Sequence, residues 1–426
     1  MLQRTARALR VLLPLVAVVS AVPAAAQSDP ALERARRILR SAPLIDGHND
    51  LPWTIRDHAQ APRDVERYDL RGAVPGHTDL ARLASGMVGA QFWSVYVPGE
   101  IRDSGYARVQ LEQIDIARRV VARYPDRLAP ALTAADVERE FKRGRIASFL
   151  GMEGGHAIEN SLGALRAYHA LGARYMTLTH NVTLDWADAA LDSARHGGLT
   201  EFGREVVREM NRLGMLVDLS HASPATMSDA LEASAAPVIF SHSSARALVD
   251  HKRNVPDSIL ARLSANGGVV MVTFVPDFVS TEAAAWAEAF EAESRRIESV
   301  ADSAERRRRL DEWTAGHPRP RATLTQVADH IEHVRRVAGA DHVGIGSDFD
   351  GIETVPVGLE DVSTFPALFA ELVRRGWSDG DLRKLAGGNV LRVLRQAEGV
   401  AGRLQNERPP STRTIEELDG TVRTTS

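Results

Sequence analysis

The sequence predicts an α/β fold, a (β/α)8 TIM-like barrel with a helical insertion before the last strand. Three observations carry that prediction. Eight short apolar, β-branched runs recur along the chain, and helical patterns separate most of them. Six of the eight runs end in a residue able to bind a metal or move a proton, and barrel enzymes gather such groups at the C-terminal ends of their strands.

The chain has 426 residues, 44% apolar and 25% charged, the balance of an ordinary globular protein and not of a disordered one. It contains no cysteine, which excludes disulfide scaffolds, Cys-ligated zinc, iron–sulfur clusters and thiol nucleophiles. Any metal site must therefore use His, Asp and Glu, and there are 14 histidines to supply it. At a net charge of −4 the protein has no electrostatic case for nucleic acid. The one basic run, Arg306 to Arg309, is interleaved with Glu305, Asp311 and Glu312 and reads as a solvated helix face.

Residues 1–26 read as a signal peptide. Arg4, Arg7 and Arg10 precede a short apolar stretch, and small residues precede a cleavage point after about Ala26. The stretch contains Pro14 and Pro23 and is shorter than the ~20 apolar residues of a membrane span. The expected mature protein is periplasmic or secreted, with no membrane anchor. Cleavage removes three arginines and no acid, so the mature chain is more acidic still.

The strand-like runs lie at 44–46, 87–97, 146–152, 173–178, 215–219, 237–240, 268–274 and 343–345. Most are continuously apolar, as parallel strands covered on both faces should be. Helical patterns fall at 110–123, 161–171, 200–213, 225–233 and 256–265. A doubly wound open sheet is the alternative, but no Gly-x-Gly-x-x-Gly follows the first run. These elements define one (β/α)8 domain over 27–403. Within it, 283–313 is rich in Ala, Glu and Arg and reads as an insertion of one or two exposed helices. Residues 404–426 hold few apolar side chains and Pro409-Pro410, and read as an extended or disordered tail.

The chemistry sits at the run ends. His48 and Asp50, two apart on an extended segment, point the same way and can share one cation, although a His-x-Asp alone also suits a loop cap. Glu153 precedes Gly154-Gly155, where backbone can be approached closely; a helix-start acid is the plain alternative. His221 and His242 each follow a buried run and singly suit a satisfied core histidine. With Glu153 they complete a second ligand set, and one carboxylate bridging two cations is the simplest way to join the pairs.

Taken together, the segments Leu44-Ile45-Asp46-Gly47-His48-Asn49-Asp50, Met152-Glu153-Gly154-Gly155-His156, Thr179-His180-Asn181, Asp218-Leu219-Ser220-His221, Ser241-His242-Ser243, Lys252-Arg253-Asn254 and Gly346-Ser347-Asp348-Phe349-Asp350 resemble the membrane dipeptidase (renal dipeptidase) family of zinc peptidases. The resemblance runs in order from about Pro43 to Gln396. It implies two Zn²⁺ per chain, one on His48 and Asp50, the other on His221 and His242, bridged by Glu153. It further implies that Asp348 is the acid/base residue, that His180 polarises and binds substrate, and that Arg253 receives the substrate carboxylate. Dipeptides with a free C-terminal carboxylate are the implied substrates, a hydroxide between the zinc ions the nucleophile, and a homodimer the implied assembly. Trp53, Trp93, Phe274 and Phe278 suit pocket walls or barrel core equally well.

The chain also departs from the family. Mammalian members carry disulfides and a lipid anchor, for which this chain has neither cysteine nor an apolar C-terminal tail. Phe278 stands where some relatives have tyrosine. Two other readings compete: a different binuclear barrel amidohydrolase acting on a cyclic amide, ester or β-lactam, and a non-catalytic zinc-binding surface protein. Barrel hydrolases of the first kind often bridge their metals with a carboxylated lysine, and none of the three lysines (Lys142, Lys252, Lys384) ends a strand.

Overall fold

Nine parallel strands order the chain: β1 (Leu44–Asn49), β2 (Val88–Tyr96), β3 (Leu128–Pro130), β4 (Ile146–Glu153), β5 (Ala173–Thr177), β6 (Leu216–Asp218), β7 (Ile239–Ser243), β8 (Val269–Val272) and β9 (Val343–Ile345). The computed structural model describes residues 29–101 and 105–420; the signal-peptide segment lies outside the described residues. Pairing runs β2-β1-β9-β8-β7-β6-β5-β4, and β2 also pairs with β4, from Ala90↔Ala147 to Tyr96↔Glu153. That contact closes eight strands into the (β/α)8 barrel.

The ninth strand corrects the expected count. β3 pairs with Ile146 to Ser148 at the start of β4, along the edge that β5 takes from Leu150 onward. It has three residues and ends at Pro130, whose missing N–H suits an edge but not a continuing ladder. So short a strand leaves no periodicity to read.

Packing follows from the strand composition. Phe92, Phe149, Tyr175, Leu216, Ile239, Val269 and Met271 form one buried cluster, joined by Val390, Val393 and Leu394 of the helix Asn389–Glu407. A larger cluster lies between barrel and helices, with Val206, Val207 and Met210 of the helix Glu201–Leu213 among its members. Most of the expected helices occur within a residue or two of their expected limits. The helix expected at 110–123 begins four residues earlier, at Tyr106, and the stretch 256–265 is broken into Asp257–Leu260 and Leu263–Asn266.

The segment 283–313 lies in two helices, Thr281–Ile297 and Ser303–Gly316, the second with no buried residue. Stacked rings of Trp286, Phe290, Trp313 and His317 tie the pair together. Arg308 and Arg309 both pair with Glu305 across the exposed face. Over 404–420 the C-terminal segment differs from the tail expected at 404–426, of which 421–426 lie outside the described residues. Its first residues continue the helix Asn389–Glu407, and Ile415–Asp419 forms a short helix with a Thr414–Glu417 capping box. Ile415 is buried, the Ser411 amide donates to Glu209, and the Phe202 amide donates to Asp419. One apolar anchor and these polar contacts hold the segment where composition alone suggests none. No helix among the described residues is long and apolar enough to cross a membrane.

Candidate metal centre and substrate cleft

Strand ends on the barrel's C-terminal rim bring all eight expected site residues together. His48 is the penultimate residue of β1, and Asp50 follows its last residue, Asn49; Glu153 ends β4; His242 lies in β7. His180 and His221 follow β5 and β6, Arg253 lies in the loop after β7, and Asp348 follows β9. The β1–β9 register at Asp46↔Ile345 carries past the strands: the Asp348 amide donates to the His48 carbonyl at 3.1 Å and the Asp50 amide to the Phe349 carbonyl at 2.9 Å. Asp348 is thereby held beside His48 and Asp50.

Glu153 is the hub. Its Oε2 lies 3.4 Å from His48 Nε2, and its Oε1 lies 3.1 Å from His221 Nε2 and 3.4 Å from His242 Nε2. His48 Nε2 is 3.1 Å from Asp50 Oδ2, and His180 Nε2 is 3.9 Å from Glu153 Oε1. Three triplets of ligand atoms each fall within 4.8 Å: His48–Glu153–His242, Glu153–His180–His221 and His48–Asp50–Asp348.

Left-handed backbone recurs on the rim. His221, Asp348 and Asp350 all have positive φ, between 65° and 67°, a conformation non-glycine residues adopt at a cost. Gly351 is needed for closeness: a Cβ there would lie 2.3 Å from Asp50 Oδ2 and 2.6 Å from Asp348 Oδ1.

Three imidazoles turn Nε2 inward with Nδ1 occupied, whereas His180 Nδ1 is buried without a partner. His48 Nδ1 meets Tyr175 Oη at 2.8 Å, His221 Nδ1 meets Asn181 Oδ1 at 3.0 Å, and His242 Nδ1 meets Ser241 Oγ at 2.9 Å. Ser241 Oγ in turn donates to Asp218 Oδ2 at 2.6 Å, so toward His242 it acts as acceptor. These supports, and Asp46, which accepts from Ser347 N and Oγ, were not expected from sequence. The available signal was the repeated Asp two or three residues ahead of a site His, at Asp46 and Asp218.

The donor set fits a divalent cation. Both His221 and His242 carry Nδ1–H, so their Nε2 lone pairs face each other at 3.0 Å, an unfavourable contact without a cation between them. His48 Nε2 and Asp50 Oδ1 are buried with no hydrogen-bond partner. Nitrogen and carboxylate donors without sulfur suit Zn²⁺.

Electrostatics split the groups. Burial opposes ionisation of Glu153, but His48 and His221 outweigh it and hold the carboxyl well below its usual range. Burial likewise opposes charge on His48, yet Tyr175, Asp50 and Glu153 raise it well above the ordinary imidazole value. Burial, with Arg253 nearby, keeps His221 well below that value, and burial with His48 does the same for His242. Asp348 is pushed well up by desolvation and by Asp50 and Glu153.

Arg253 is not the surface residue its Lys252 neighbour suggests. It is 1% exposed, donates from Nη2 to the His242 carbonyl at 3.3 Å, and leaves Nε and Nη1 buried without partners. Its guanidinium sits 5.3 Å from the Phe278 ring centroid, and burial lowers its pKa to about 10, still charged at neutral pH. Of the expected wall residues, Phe278 touches this group and Trp53 packs edge-on against Tyr96, which itself lies against His180. Trp93 and Phe274 are fully buried, Phe274 against Phe349 in the core.

Comparison with known proteins agrees. The family described as "Membrane dipeptidase (Peptidase family M19)" matches residues 32–408. Dipeptidase 3 of Rattus norvegicus is 41% identical over 388 residues, covering 90% of this chain and 71% of the relative. The probable dipeptidase PvdM of Pseudomonas aeruginosa superposes with a TM-score of 0.76 at 25% identity, over 87% of this chain and 99% of that one. A metallopeptidase of Rhodobacter sphaeroides, solved with a phosphinate mimic of the dipeptide L-Ala-D-Ala, gives 0.69 at 27% identity over 84% and 99%. With its strand-end His and carboxylate cluster and a match over nearly the whole barrel, the chain belongs to the membrane dipeptidase family and is a dipeptidase-type metallopeptidase.

Proposed function

We propose that the protein is an exported zinc dipeptidase that hydrolyses dipeptides bearing a free C-terminal carboxylate. In this reading His48 and Asp50 hold one Zn²⁺, His221 and His242 hold a second, and Glu153 bridges them. When bound, such ions supply Lewis acidity and make a nucleophilic water available near neutral pH.

The protein's own residues then divide the work. Arg253 holds the substrate carboxylate by two parallel charge-assisted bonds, which fixes the peptide's C-terminal end. His180 donates a hydrogen bond to the scissile carbonyl oxygen. Asp348 takes the proton of the attacking water and delivers it to the leaving nitrogen as the C–N bond breaks, giving one carboxylate and one amine. Burial raises the proton affinity of Asp348, which suits it to accept the proton of the attacking water.

The observation that carries the substrate assignment is Arg253: a buried guanidinium with two N–H-bearing nitrogens unpartnered, beside the ligand cluster. A buried charge without a carboxylate or similar partner is costly, so the position calls for an anionic ligand. The dipeptide mimic bound by the Rhodobacter sphaeroides relative supports the same substrate class.

A panel of dipeptides, read by released amino acids, tests the reading. Zinc-loaded protein should turn over free dipeptides, lose activity on chelation and regain it with added zinc. Absence of dipeptide turnover by fully loaded protein would contradict it. Recovery from the periplasm or medium of a chain beginning at about Gln27 tests the export assignment.

A further inference from the structure

Three of the four imidazoles around Glu153 are braced at Nδ1, each by different chemistry. His221 leans on an amide oxygen, which can only accept, and His242 on a serine whose proton is spent on Asp218. Asp218 is itself fixed, accepting from Thr177 Oγ1 and from the Ser241 and Ser220 amides. His48 alone is braced by a phenol, Tyr175, at 2.8 Å.

Tyr175 reaches His48 from β5, across the barrel interior. Its path exists because β4 carries no side chain at Gly151: a Cβ there would lie 2.0 Å from the Tyr175 Cζ and 2.4 Å from its hydroxyl. Phe92 packs the other side of the ring at a centroid distance of 5.3 Å. The phenol is fully buried, and His48 Nδ1 is its one hydrogen-bond partner among the described residues. Neither His221 nor His242 touches it.

We propose that Tyr175 is a positioning residue for one cation position only, that of His48 and Asp50: its hydroxyl fixes the His48 ring so that Nε2 faces Asp50 and Glu153. The proposal rests on the two-ion reading above. It assigns Tyr175 no contact with substrate. Partners that brace a metal-bound histidine from behind typically govern affinity by 10–100-fold.

The test is zinc binding, not turnover. Metal-free protein is titrated with Zn²⁺ against a competing chelator, as wild type and as Tyr175→Phe, which keeps the ring and removes only the hydroxyl. Two equivalents are expected in both, with one affinity lowered about 10–100-fold in the variant and the other unchanged. The same substitution is then placed in two single-position backgrounds. In His242→Ala it should weaken the remaining ion; in His48→Ala it should leave the remaining ion's affinity as it was. Gly151→Ala, which obstructs the ring's path, should reproduce the selective loss.

Wild type binding fewer than two equivalents would overturn the two-ion reading and this proposal with it. Two equivalents with both affinities unchanged in Tyr175→Phe, or both lowered equally, would overturn the proposal and leave the two-ion reading standing.

Discussion

At the scale of single residues, Glu153 and Asp348 are both carboxylates in one cluster, yet their surroundings push them in opposite directions. Glu153 faces four imidazoles and is held well below its usual range; Asp348 faces Asp50 and Glu153 and is pushed well up. That contrast supports the proposed division of ligand and proton carrier between different residues. Glu153→Gln should therefore lower occupancy of both zinc positions, measured by elemental analysis, because one carboxylate serves both. Asp348→Asn should lower kcat by roughly 10²–10⁴ with zinc content nearly unchanged. Zinc lost in step with activity would instead make Asp348 chiefly a ligand. The clustering of the proposed ligands was legible in the sequence because each stands at or just past a strand end beside Gly, Asn or Ser. Their supports were not. Tyr175 and Ser241 look like strand residues in a linear reading, and only barrel closure brings Tyr175 of β5 to His48 of β1.

At the scale of elements, the rim works through short turns pinned to neighbouring strands. Buried Asp46 on β1 binds Ser347 after β9, and Asp218 on β6 binds Ser241 on β7. Each carboxylate stitches two strands just below the cluster, where β6 and β9 have only three residues apiece. The turn Asp348–Gly351 depends on its glycine for the approach of Asp50 and Asp348. Gly351→Ala should displace those carboxylates by a sizeable fraction of an ångström and lower kcat by about 10²-fold, while the far-ultraviolet circular dichroism stays that of the wild type. Full activity in that variant would show that the turn has slack. Strand positions were readable from apolar runs, except β3, whose three residues make no pattern. Helix limits were readable where amphipathic stripes were long, and failed at 256–265, where the chain breaks after Leu260.

At the scale of the whole molecule, the barrel supplies the site and the additions around it supply stability or access. The C-terminal segment lies on the helix Glu201–Leu213, with Ile415 buried and Ser411 on Glu209. Ending the chain at Glu407 should remove about 1.5–3 kcal/mol from the buried isoleucine alone. A lowered Tm with kcat unchanged is the expected outcome; a fall in kcat would place the segment in the catalytic machinery. Composition hid this contact because a single apolar anchor does not alter the polar character of the segment. The proposed seating of a dipeptide between the ligand cluster and Arg253 is checked by comparing wild type with Arg253→Lys, each assayed on a free dipeptide and on its C-terminal amide. Replacing the guanidinium fork with a point charge should lower kcat/KM on the free dipeptide by roughly ten- to 150-fold, the equivalent of about 1.5–3 kcal/mol, and hardly alter it on the amide. Equal losses on both substrates would show that Arg253 does not hold the carboxylate, and would contradict the account.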